Sequence, residues 1–146
     1  MKLEYIDKIM ELAEIAYFND EIPVGAVVVY NGKIIGEGVN TRSNNSTVIG
    51  HAEINAIENA CKIIGDWRLS DCELYVSLKP CMMCTGAIVE SRIKKVYYIC
   101  DRTNVRFNPD EYIRLIKIDN REIHDKYMKL LQLFFENKRN KSWNMI

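Results

Sequence analysis

The chain has 146 residues, 48% hydrophobic and 27% charged, and its 20 basic and 20 acidic side chains leave a formal net charge of +0. The length suits one domain with one proper core, so 1–146 is read as a single domain. The charge balance excludes a binder held to nucleic acid by overall basicity, and with no run of about 18 apolar residues a membrane span is excluded as well.

The opening "MKLEYIDKIMELAEIAYFND" alternates apolar and charged residues and lacks the continuous apolar stretch of a signal peptide, so a cytoplasmic location is expected. Within it Ile6, Ile9, Met10, Ala13, Ala16 and Tyr17 recur at three- and four-residue steps, which predicts an amphipathic helix ending near Asn19-Asp20. "VGAVVVY" and "KIIGEGV" flank Asn31-Gly32, a pair that supplies the positive φ values of a two-residue hairpin turn. Asn40 to Gly50 is polar and turn-rich and reads as a surface loop. From His51 the residues Ile54, Ala56, Ile57, Ala60, Ile63 and Ile64 predict a helix closed by Gly65.

"CELYVSL" reads as a third strand, with Pro80 marking the turn out of it. A helix from about Cys81 to Glu90 and a fourth strand, "KVYYIC", follow. The loop "DRTNVRFNPDE" then leads to a fifth strand, "YIRLIKI". The last element is an amphipathic helix from about Asn120 to Arg139, with Ile123, Tyr127, Leu130, Leu131, Phe134 and Phe135 on its apolar face. An initial hairpin followed by strands with crossover helices predicts a three-layer α/β domain with a mixed sheet.

The chemistry concentrates in two segments, "HAEINAI" from His51 and "KPCMMC" ending at Cys84. The chain has two histidines and five cysteines, an odd number that makes a disulfide framework a poor explanation. Catalytic zinc takes three protein ligands and keeps one position open, and one His with two Cys is a known set. His51, Cys81 and Cys84 supply it. A Cys-x-x-Cys on the first turn of a helix projects both sulfurs to one side, where the helix dipole favours thiolates. Glu53, two residues beyond His51, is placed to carry protons without ligating the metal. Cys61, Cys72 and Cys100 read as small core residues, and His124 as a surface or interface histidine.

His-x-Glu followed by Pro-Cys-x-x-Cys is the known signature of the zinc nucleobase deaminases, so the motif is matched and not deduced. "EIPVGAVVV", "GEGVN", "HAEINAI", "LYVSLKPCMMCTGAIVESRI" and "LLQLFFENKR" extend the likeness. The chain resembles the cytidine deaminase-like superfamily, and within it the tRNA adenosine deaminase branch. That resemblance implies a three-layer α/β/α fold with a central mixed five-stranded sheet, one Zn2+ per subunit and a homodimer. It further implies hydrolysis of a wobble adenosine to inosine in a tRNA anticodon arm. His51, Cys81 and Cys84 would be the ligands and Glu53 the proton shuttle. Asn40 would touch the flipped nucleoside, and Pro23, Val24 and Ala52 would line the base pocket, Ala52 through its backbone.

The sequence departs from the branch at Lys79, where a glutamate is usual, and after Cys100, where Asp101 is present but the Lys-x-Gly-Ala that follows it is absent. Lys79 reads as a solvent-exposed lysine. Arg102, Arg106 and the tail "NKRNKSW" offer local positive charge to a nucleic-acid backbone. Two other readings stand beside the tRNA one: a deaminase of a free base, nucleoside or small nucleotide, and a catalytically silent zinc-binding scaffold subunit.

Overall fold

The Asn31-Gly32 turn forms as predicted, with φ of 49° and 74°, and joins β1 (Gly25–Tyr30) to an antiparallel β2 (Lys33–Val39). A computed structural model describes residues 2–103 and 106–144, and of residues 140–144 the backbone alone, so part of the basic tail lies outside the described side chains. Helix α1 (Leu3–Phe18) precedes the hairpin, and α2 (Ala52–Ile64), β3 (Glu73–Leu78), α3 (Met82–Ser91), β4 (Lys95–Cys100), β5 (Leu115–Lys117) and α4 (Arg121–Asn144) follow it.

The described strands form one five-stranded sheet in the order β2-β1-β3-β4-β5. β1 runs antiparallel to both neighbours, whereas β3, β4 and β5 are mutually parallel, so the sheet is mixed. Successive residues of a strand face opposite sides, and β1 uses both. Val27 and Val29 pack with α1 and with Tyr127 of α4, while Ala26 and Val28 pack with Ala52, Ala56 and Ile57 of α2 and Ile88 of α3. Helices therefore cover both faces, giving the three layers expected of the fold.

Gly36 and Gly38 determine how closely α2 sits on β2. A Cβ on Gly36 would collide with the carbonyl of Ala56, and one on Gly38 with the carbonyl of Ala52. The helix backbone thus rests directly on the strand, which fixes the start of α2 and the residues it carries.

Four sequence expectations are corrected in detail. The fifth strand is confined to Leu115–Lys117, because Pro109–Glu111 form a 3-10 turn ending at Tyr112. Helix α4 continues past Arg139 to Asn144. Phe134 is buried but Phe135 is 47% exposed, since adjacent helical residues point about 100° apart and one alone can turn into the protein. Ile63 and Ile64 are exposed, because the last turn of α2 runs beyond its contact with Gly36. Cys72 and Cys100 are buried, Cys61 partly so. Among the described residues no helix is long and apolar enough to cross a membrane.

Candidate active site

Two helix beginnings meet at one end of the sheet. His51 is the N-cap of α2 and Cys81 the N-cap of α3, both with extended backbone, and Cys84 lies one turn into α3. His51 Nδ1 stands 3.6 Å from Cys81 Sγ and 3.5 Å from Cys84 Sγ, and all three ligand atoms lie within 4.8 Å of one another. A tetrahedral ion with metal–sulfur bonds of about 2.3 Å and a metal–nitrogen bond of about 2.0 Å separates sulfur from nitrogen by about 3.5 Å. The donor set and spacing therefore fit zinc.

The electrostatics suit a cation. The Cys84 thiol hydrogen-bonds to the Cys81 sulfur, and together with His51 holds Cys81 down to about 3. Cys84, which supplies that proton and is buried, is pushed up. The contact with Cys81 raises His51 in turn. Two helix N-termini reinforce the negative charge on sulfur.

Glu53, on the first turn of α2, is only 4% exposed. Burial pushes its carboxyl up, opposed in part by a hydrogen bond from its own backbone. A buried carboxyl with a raised pKa can hold a proton and release it, which general acid–base chemistry requires. Glu53 and His51 line the same cavity of about 200 Å³, together with Ile22, Val24, Asn40 and Leu78.

Asn40 is buried in that wall, and its Oδ1 accepts the Ala52 N–H at 2.9 Å. That bond ties the loop to the start of α2 and engages the backbone donor of Ala52. Pro23 sits behind the cavity, its carbonyl accepting the Tyr127 hydroxyl at 2.7 Å. Lys79 is corrected from the exposed residue expected: its side chain is only 18% exposed and its Nζ lies 3.0 Å from Asp110 and 3.8 Å from Asp101. His124 lies on α4, 3.4 Å from the Asp125 carboxylate.

Several cavity residues escaped the sequence reading. Glu21 is 2% exposed and accepts from the Ser43 N–H at 3.0 Å, the Asn44 N–H at 2.7 Å and the Asn44 side chain at 2.7 Å. It moors the loop that brings Arg42 and Ser43 to the cavity. Arg102, which the sequence offered as local positive charge, is half-buried, enters the same cavity and donates its Nε–H to the Lys79 carbonyl at 2.9 Å. The one available signal was an acid beside Ile22-Pro23 preceding an Asn-rich loop, since such loops need an acceptor for their backbone N–H groups.

A mixed sheet between helix layers, with one His and two Cys gathered at two helix starts and a buried glutamate beside them, defines a hydrolytic deaminase of the cytidine deaminase-like class. The chain belongs to the MafB19-like deaminase family, whose model matches residues 1–139. It is 38% identical over 138 residues to the tRNA-specific adenosine deaminase of Buchnera aphidicola subsp. Baizongia pistaciae, covering 88% of this chain and 84% of that one. A structure from a study of A-to-I editing by tRNA:A34 deaminases at the wobble position of transfer RNA superposes with a TM-score of 0.79 at 28% identity, over 86% of this chain and 99% of that one. The guanine deaminase of Bacillus subtilis superposes at 0.67 with 40% identity, over 71% and 68%.

Proposed function

We propose that this protein deaminates adenosine to inosine at the wobble position of a tRNA anticodon arm, acting as one domain over 1–146, in the cytoplasm and as a homodimer. The observation that carries this reading is the joint placement of His51, Cys81, Cys84 and the buried Glu53 in a chain whose likeness to a tRNA-specific adenosine deaminase runs through most of both lengths. His51, Cys81 and Cys84 would hold Zn2+. The chemistry zinc supplies when bound is acidification of water, whose pKa falls to about 7.

Glu53 does the proton work. Its carboxylate oxygen takes one proton from the attacking water and passes it to the ring nitrogen, then takes the proton of the hydroxyl now on the ring carbon and passes it to the amino group, which leaves as ammonia when its C–N bond breaks and the carbonyl forms. Its burial keeps bulk water from competing for that proton. Val24 and Leu78 give the ring apolar contact, and Asn40, braced by Ala52, orients the sugar. Pro23 backs this wall through its bond with Tyr127.

The likeness to a guanine deaminase favours a second reading, in which the same machinery acts on a free base. Ammonia release by zinc-loaded protein separates the two when an anticodon stem-loop with a wobble adenosine is run beside free bases and nucleosides. Inosine formed in the stem-loop supports the first reading. Turnover of guanine or another small molecule, with none of the stem-loop, replaces it with the second.

A further inference from the structure

Arg102 occupies the wall between two cavities. On one side lies the catalytic cavity with His51 and Glu53. On the other is a cavity of about 220 Å³ whose lining includes Lys79, Asp101, Arg102, Arg106 and Phe107. The guanidinium is oriented by its Nε–H bond to the Lys79 carbonyl, 2.9 Å. Its charge is near enough to bear on His51.

The neighbouring acids are otherwise engaged. Asp101 takes Lys117 Nζ at 2.7 Å and the Tyr98 hydroxyl at 3.1 Å, with Lys79 Nζ at 3.8 Å, and Asp110 takes Lys79 Nζ at 3.0 Å. Both acids are thus paired with lysines, and among the described residues no carboxylate forms an ion pair with Arg102. A half-buried arginine fixed at one edge, with no protein anion on its other donors, is arranged for a flat or tetrahedral anion that accepts two hydrogen bonds. Arg42 faces the same catalytic cavity from the loop moored by Glu21, and Arg106 lines the second one. Positive charge therefore lines both cavities, and the acids nearest Arg102, Asp101 and Asp110, are paired with lysines.

We infer that Arg102 binds the phosphate group joined to the nucleoside whose base enters the catalytic cavity. This rests on the proposed reading that the substrate is a nucleotide unit, and it selects phosphate-bearing substrates over free bases. Lys79 is the positioning residue, since its carbonyl aims the guanidinium while its ammonium is spent on Asp110 and Asp101.

The test uses the full zinc-loaded chain and its Arg102→Ala and Arg102→Lys variants, with metal content and thermal midpoint confirming that each folds. Steady-state rates are measured on the anticodon stem-loop and on adenosine. Loss of one charge-assisted contact should raise KM for the stem-loop about tenfold more than KM for adenosine, with Arg102→Lys falling between. The slope of log KM against log salt should become shallower by about one. An equal loss on both substrates, or none on the stem-loop, overturns the inference and leaves the tRNA reading standing.

If wild-type protein ignores the stem-loop, the tRNA reading fails, and the comparison moves to a nucleoside it does turn over and that nucleoside's 5′-monophosphate. A tenfold loss confined to the monophosphate supports the phosphate contact; an equal loss overturns it. Turnover of free bases alone overturns both.

Discussion

The metal-ligand cluster and the segment after β4 adjoin the same cavity and are held by different forces. His51, Glu53, Cys81 and Cys84 are fixed by helix starts, by burial and by a helix backbone seated on two glycines. The described residues after β4, 101–103 and 106–111, are tied down by pairs involving half-exposed acids: Lys79 with Asp110, Lys79 with Asp101 and Lys117 with Asp101. Backbone packing sets positions to fractions of an ångström, whereas surface ion pairs contribute at most about 1 kcal/mol each and weaken with salt. The proposed chemistry would thus rest on the rigid part, and the segment after β4 could vary without disturbing it.

The sharpest way to break this contrast is Glu53→Ala. Ammonia release should fall about 1,000-fold or more, in line with loss of a general acid–base group, while metal content stays at the wild-type level. A variant that keeps its activity removes Glu53 from the chemistry. Next is Gly38→Ala on the rigid side. The added methyl must push α2 off β2, at a cost of about 1–3 kcal/mol in denaturant unfolding, and zinc affinity should fall because His51 moves with the helix. An unchanged midpoint would mean that the strand yields instead.

A smaller effect concerns alkaline pH. Burial, chiefly, raises Tyr75 and Tyr98 to about 12, so the folded protein favours their neutral form. The unfolded chain ionises near pH 10, and stability should hold below that pH and decline as it rises through 10 toward 12. Thermal midpoints across that range check it; a flat profile would show that these hydroxyls meet water. The least effect is expected from Asp110→Asn, which breaks one pair with Lys79 and should shift stability by less than about 1 kcal/mol. A change in KM for the stem-loop larger than the change in stability would show that the pair serves substrate more than fold.

Much of this was legible because the decisive patterns are local. Asn31-Gly32 dictates its turn, and the apolar spacing of residues 6–17 dictates α1. The grouping of His51, Cys81 and Cys84, which could hold a metal ion, was legible too, since residue types and short spacing define it. What stayed hidden depends on contacts across the chain. Glu21 resembles any acid in a turn until Ser43 and Asn44 are brought to it, 22 and 23 residues away. Lys79 looks like a surface lysine until Asp110, 31 residues on, closes over it. "YIRLIKI" promised a longer strand, but β4 offers pairing to Leu115–Lys117 alone.

The bond between the Tyr127 hydroxyl and the Pro23 carbonyl spans 104 residues, and it bears on the order of assembly. During vectorial synthesis the sequence for the hairpin, for α2 and α3 and for all five strands leaves the ribosome before Tyr127 does. The wall behind Pro23 therefore lacks its brace until the start of α4 has been made. That wall would thus be the last part of the cavity to be completed.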